Sequence, residues 1–129
     1  MSGQRDESLV LDDVLDAAER LTELGAGVRQ GFLGVDRDTS ESILWNLLVL
    51  GESAKRLSVS LRERFDDLPW GHMARTRDRV THHYDVIDWA AIAEIVHDQL
   101  PPLLPRLAEV RDTVRAEFDA AEAERRRNR

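Results

Sequence analysis

The chain has 129 residues, 42% apolar and 33% charged, with a net charge of −7 and no cysteine. That length suits one domain around one core, and that balance excludes disordered and fibrous classes. The missing cysteine excludes disulfides and thiolate chemistry, and the acidity argues against general electrostatic binding to nucleic acid.

In chain order, Asp6 or Ser8 can cap a first helix, in which Val10, Leu11, Val14, Leu15, Ala18, Leu21 and Leu24 recur at helical spacing. Gly25 is expected to stop it. Residues 26–38 hold Gly27, Gly31 and Gly34 and read as a connection. Asp38-Thr39-Ser40-Glu41 reads as a capping box for a second helix, whose stripe of Ile43, Leu44, Leu47, Leu48, Leu50, Ala54 and Leu57 carries it to about Leu57. Ser58 to Phe65 offers a short extra turn. Asp66-Asp67-Leu68-Pro69 starts a third helix running from about Pro69 to about His83. Asp88 caps a fourth, with Trp89, Ile92, Ala93, Ile95 and Val96 inward. Pro101-Pro102 interrupts the chain, and a fifth helix uses Leu103, Leu104, Leu107, Val110, Val114 and Phe118. The expected fold is all-α, an up-down bundle of about five helices with two long ones at its antiparallel centre. One domain is expected over 1–129, with 1–7 and 122–129 as disordered tails, the last ending in Arg125-Arg126-Arg127-Asn128-Arg129. The polar start and the charge-broken apolar runs predict a cytoplasmic protein without a membrane span.

Chemistry concentrates between Arg77 and Tyr84, in Arg77-Asp78-Arg79-Val80-Thr81-His82-His83-Tyr84. A permanent cation, a side chain that exchanges a proton near neutral pH and a phenol lie within one short stretch. These suit cleavage of an RNA phosphodiester without a metal. A base takes the 2′-hydroxyl proton, an acid protonates the departing 5′-oxygen, and a guanidinium stabilises the charge on phosphorus. Two proton-transfer groups are needed, so a symmetric dimer is implied. On a regular helix Arg77 and Tyr84 fall nearly in line, while His82 lies about 140° from Arg77. They converge only if the helix ends near His82 or a partner chain supplies one of them. A solvated helix face would carry the same charged residues, and Tyr84 would also serve as a core-capping phenol. A rival metal set of His82, His83, Asp85 and Asp88 has poor spacing, since adjacent histidines diverge by about 100° on a helix. His83, His72 and His97 read as structural or exposed. No phosphate-binding glycine loop or nucleophile elbow is present.

Arg77-x4-His82-x-Tyr84 resembles the signature of HepT, the toxin half of the HepT/MntA toxin–antitoxin pairs, within the HEPN superfamily of helical ribonucleases. Leu50-Gly51-Glu52-Ser53-Ala54-Lys55-Arg56-Leu57 is similar to that family's Gly-Glu-Ala segment on the second helix. Pro69-Trp70, Asp88 and Leu100-Pro101 follow in family order, so the likeness spans most of the chain, from about Leu9 to Val110. Asp78 stands where the family commonly has Asn, and Ser53 where it has Ala. The resemblance implies an endoribonuclease that needs no metal or other cofactor, with tRNA or mRNA as substrate. It implies a homodimer with Arg77 and His82 of both subunits in a shared cleft, and a larger hetero-complex with the antitoxin. It further implies an MntA-like nucleotidyltransferase antitoxin that attaches AMP to Tyr84, placing phosphate charge beside Arg77. In that frame Arg77 and His82 are catalytic, Asp78 and Glu52 are accessory, and Tyr84 is the modified residue. The alternative is a non-catalytic HEPN-like helical dimer that binds nucleotide, RNA or a partner protein.

Overall fold

In the computed structural model the described residues are 5–27, 36–82 and 86–129; the side chains of Arg79, Thr81 and His82 lie outside that description. They form α1 (Glu7–Ala26), α2 (Arg37–Arg56), α3 (Val59–Arg64), α4 (Trp70–His82), α5 (Trp89–Glu94) and α6 (Leu104–Arg127), with no strand among them. None of these helices is long and apolar enough to cross a membrane.

Burial explains the arrangement. The inward stripes of α1 (Val10, Leu11, Val14, Ala17, Ala18, Leu21) and α2 (Ile43, Leu47, Leu50, Ala54) meet in one core. α1 packs on both α2 and α6, and α2 packs on α4, so α1 and α2 occupy the centre. The central pair is antiparallel: the Glu7 carboxylate, at the start of α1, accepts from Ser58 N and Oγ (2.6 and 2.8 Å) just beyond the end of α2. α6 also runs against α1, since Arg111 and Arg115 of α6 reach Asp12 and Arg115 continues back to Ser8. Arg64–Glu117 ties α3 to α6, and Arg106–Asp67 ties the turn before α4 to the same helix.

Local chemistry sets most boundaries. Asp6 caps α1 by accepting from Ser8 N at 3.0 Å, and Asp88 caps α5 by accepting from Ala91 N at 3.1 Å. Ser58 caps α3 by accepting from Leu61 N at 3.1 Å. Three boundaries differ from the reading of the sequence. α1 passes through Gly25 and ends at Ala26, because Gly25 sits in the helix against Val96 instead of closing it. α2 begins at Arg37 with Asp36 as its N-cap residue: Asp36 is extended and its carbonyl accepts from Ser40 N at 2.9 Å, so the start lies two residues before the expected box at Asp38. α6 continues as helix to Arg127, well into the segment expected to be a solvated tail. Its last turns are exposed, but Arg125 and Arg127 pair with Glu122 and Glu124 three residues earlier, and basic residues favour a helix C-terminus.

The proline interruption is resolved in two steps. Ile95–Gln99 widens into a π turn, and Pro101–Leu103 then tightens into a 3₁₀ turn before α6 begins. Leu100 N donates to Ile95 O at 2.9 Å, the wide spacing of a π turn. This kink carries Val96 and His97 onto the end of α1. The His97 ring, read from the sequence as structural, has Nε2 2.7 Å from Gly25 O.

Candidate active site

The site is built where α4 crosses α2. Arg77 lies against Gly51: a Cβ built on Gly51 would sit 2.4 Å from Arg77 Cβ and 2.9 Å from its backbone N. Only a residue without a side chain permits that approach. The consequence is positional. Glu52, the next residue on α2, places Oε2 2.9 Å from Arg77 Nε. Asp78 Oδ1 lies 3.6 Å from the Arg77 guanidinium and accepts from Lys55 Nζ at 2.8 Å.

Among the described residues, four charged side chains from two helices therefore form one cluster: Arg77 and Asp78 on α4, Glu52 and Lys55 on α2. The side chains of Arg77, Asp78 and Lys55 retain 37%, 42% and 38% of their exposure, which leaves the cluster open to a solute. Arg77 is held at a known height and stays reachable. A planar guanidinium in that setting suits a phosphate oxygen.

Of the residues singled out from the sequence, Arg77, Asp78 and Glu52 come together here. His82 is the last described residue of α4, and its side chain lies outside the described residues. Tyr84 and His83 also lie outside them, as does Asp85 of the rival metal set. The fourth member of that set, Asp88, is engaged as the cap of α5. His72 has its Nδ1 3.1 Å from the Arg75 guanidinium on the exposed face of α4.

The sequence reading missed Lys55 as a member of the cluster. Its place was nonetheless legible: Gly51, Glu52 and Lys55 fall on one helical face at spacings that bring side chains together. It was also silent on why Gly51 is glycine. Beside the cluster, a groove between α4 and the α5–π-turn segment has Met73, Ile95, Leu100 and Leu103 on its walls and Arg75, Asp78, Glu94 and Gln99 among its polar residues.

Residues 14–110 match the family described as Ribonuclease HepT-like. A protein of Methanocaldococcus jannaschii named as a candidate RNase is 32% identical over 75 residues, covering 58% of this chain and 62% of that protein. A protein of Thermococcus cleftensis named as a probable ribonuclease HepT is 25% identical over 101 residues, 78% of this chain and 92% of that protein. One of Caldanaerobacter subterraneus, also named as a candidate RNase, is 26% identical over 100 residues, 78% of this chain and 89% of its own. No solved structure gives a significant match. The matched span contains the α2–α4 crossing and the whole Arg77–Tyr84 segment, and the chain belongs to the HepT-like ribonuclease family.

Proposed function

We propose that this HepT-like ribonuclease is the toxin of a toxin–antitoxin pair and cuts RNA by acid–base chemistry without a metal. The observation that carries the reading is the Arg77 guanidinium, fixed over Gly51 by Glu52, open to solvent, and five residues before His82 on the same helix.

Arg77 binds the scissile phosphate and stabilises the charge that develops on its oxygens. His82 moves the proton, either from the 2′-hydroxyl or to the 5′-oxygen. Attack by the 2′-oxygen breaks the bond to the 5′-oxygen and leaves a 2′,3′-cyclic phosphate. The second proton-transfer group comes from a second copy of the chain, with Arg77 and His82 of both protomers facing one cleft. Glu52 positions Arg77, and Asp78 tunes it. A flexible single-stranded or loop segment of tRNA or mRNA fits best, since in-line attack needs a mobile backbone. Control falls to Tyr84: a nucleotidyltransferase antitoxin transfers AMP from ATP to its phenol oxygen with release of pyrophosphate, and the added phosphate charge pairs with Arg77 and fills the cleft.

The test is cleavage of a tRNA and mRNA mixture by the wild-type protein and by His82→Ala, each with and without a chelator. Metal-free cleavage by the wild type alone, with cyclic-phosphate ends, is expected. Equal cleavage by both proteins sinks the role of His82, and loss of activity in chelator sinks the metal-free mechanism. RNA binding without any product would favour a non-catalytic binding module. Co-expression with a cognate nucleotidyltransferase, followed by mass spectrometry, is expected to find AMP on Tyr84 and no cleavage.

A further inference from the structure

We propose that the groove between α4 and the π turn is a base-binding subsite: it takes the nucleobase beside the scissile phosphate and favours one with an exocyclic amino group. The proposal rests on the ribonuclease reading above and deepens it.

The groove adjoins the Arg77 site through one side chain. Asp78 lines it and also lies 3.6 Å from the Arg77 guanidinium. The base and phosphate of one nucleotide are a single ribose apart, so a strand held at Arg77 brings a neighbouring base to this opening. The cavity measures about 960 Å³, within the range of ligand pockets and ample for a base.

The π turn builds one wall. On a regular helix, residues five apart diverge by about 140°. The wide turn over Ile95–Gln99 brings such pairs onto the same side. Ile95 and Leu100 share the wall, both buried, with Leu100 N donating to Ile95 O at 2.9 Å. Glu94 and Gln99 share it as an exposed pair. α4 supplies the opposite wall, with Met73 buried and His72 and Arg75 exposed. His72 Nδ1 lies 3.1 Å from the Arg75 guanidinium. Unstacked RNA bases stack on planar side chains of these two kinds.

The polar pair sets the choice of base. Among the described residues, neither the Gln99 amide nor the Glu94 carboxylate has a hydrogen-bond or ion-pair partner. A carboxylate only accepts, whereas an amide both donates and accepts. Together they match an amino group beside a ring nitrogen, which adenine, cytosine and guanine all present. Uracil has no exocyclic amino group and brings carbonyl oxygens to the carboxylate instead.

The experiment uses RNA oligonucleotides that differ only in the base on one side or the other of the cleaved bond. They are cut by the wild type, Gln99→Leu, Glu94→Gln and Ala91→Trp, and thermal midpoints are recorded for each. Ala91 lines the same groove, and the larger side chain fills it. The wild type is expected to show about tenfold higher kcat/KM with adenine, cytosine or guanine than with uracil at one of these positions. Gln99→Leu and Glu94→Gln are each expected to bring that ratio below about threefold, as losing one hydrogen bond does, with kcat on the uracil substrate kept. Ala91→Trp is expected to raise KM about tenfold for every substrate at nearly constant kcat, the pattern of lost uniform binding.

Equal rates with all four bases would overturn the proposal, as would a preference that Gln99→Leu and Glu94→Gln both leave intact. If Ala91→Trp leaves KM unchanged and instead breaks a dimer in sedimentation, the groove belongs to a second copy of the chain and the proposal falls. Should Ala91→Trp fail to fold, the two variants at exposed positions decide the matter. A wild type that neither cuts nor binds RNA would remove the ribonuclease reading itself. A wild type that cuts without base preference removes the subsite alone.

Discussion

Gly51 and Arg77 are in backbone contact across the α2–α4 crossing, so close that one added carbon on Gly51 would lie 2.4 Å from Arg77 Cβ. An alanine in mid-helix ordinarily stabilises by roughly 0.5–1 kcal/mol relative to glycine. Here the neighbours are Cβ, N and Cα of Arg77, which cannot swing aside. Gly51→Ala is expected to destabilise by about 1–3 kcal/mol, as overpacking does, and to lower RNA cleavage by moving Arg77. Chemical denaturation and a cleavage assay check both, and a more stable protein would contradict the packing account.

Arg77 is addressed on Nε by Glu52 while its guanidinium edge approaches Asp78. Lysine carries the same charge but cannot present that fork. Arg77→Lys is expected to reduce kcat by about a hundredfold, the usual scale for losing one charge-stabilising donor, with little change in thermal midpoint. Glu52→Gln keeps the shape of the side chain and removes its charge. It is expected to cost less, because Glu52 acts through its contact with the arginine.

Acid should loosen α6 before the rest of the bundle. Burial raises the Asp12 pKa, but hydrogen bonds from Arg115 and Arg111 outweigh it, and the net shift is downward from 3.8. The Arg64 hydrogen bond likewise lowers Glu117 from 4.5, and the Arg106 hydrogen bond lowers Asp67 from 3.8. A depressed carboxylate contributes stability that is present above its unfolded pKa and is lost as pH falls through the folded value. Stability is therefore expected to be flat at neutral pH and to decline as the pH drops below about 4.5 and then 3.8, the unfolded values for Glu117 and Asp12. Hydrogen exchange along α6 against pH measures this, and Asp12→Asn is expected to reduce the acid dependence.

Trp70 anchors the start of α4. It is buried, and its Nε1 donates to Phe65 O at 2.9 Å. Trp70→Phe keeps most of the apolar contact and leaves that carbonyl without its indole donor. A loss of about 1–3 kcal/mol in unfolding free energy is expected. Kinetic constants should change little, since Trp70 lies two helical turns before Arg77.

Much of this molecule follows from residues close together in the chain. Asp6, Ser58 and Asp88 cap the helices that follow them because a short oxygen-bearing side chain reaches an amide two or three residues on. The apolar stripes of α1 and α2 declare their buried faces by period alone, and Arg77 and His82 stand out because their side chains suit phosphate and proton transfer. α2 instead starts from Asp36, two residues before the expected box at Asp38, with Ser40 N donating to the Asp36 carbonyl.

What lies beyond those short spans was decided by the way the helices cross. Lys55 meets Asp78 across 23 residues of chain, and His97 meets Gly25 across 72. Neither helical period nor propensity carries information over such separations; only the packing of α4 on α2, and of the π turn on the end of α1, brings those groups together. Sequence alone therefore supplied the helices and the arginine. The tertiary structure decided that a glycine lies beneath that arginine, and that the acid beside it pairs with a lysine from another helix.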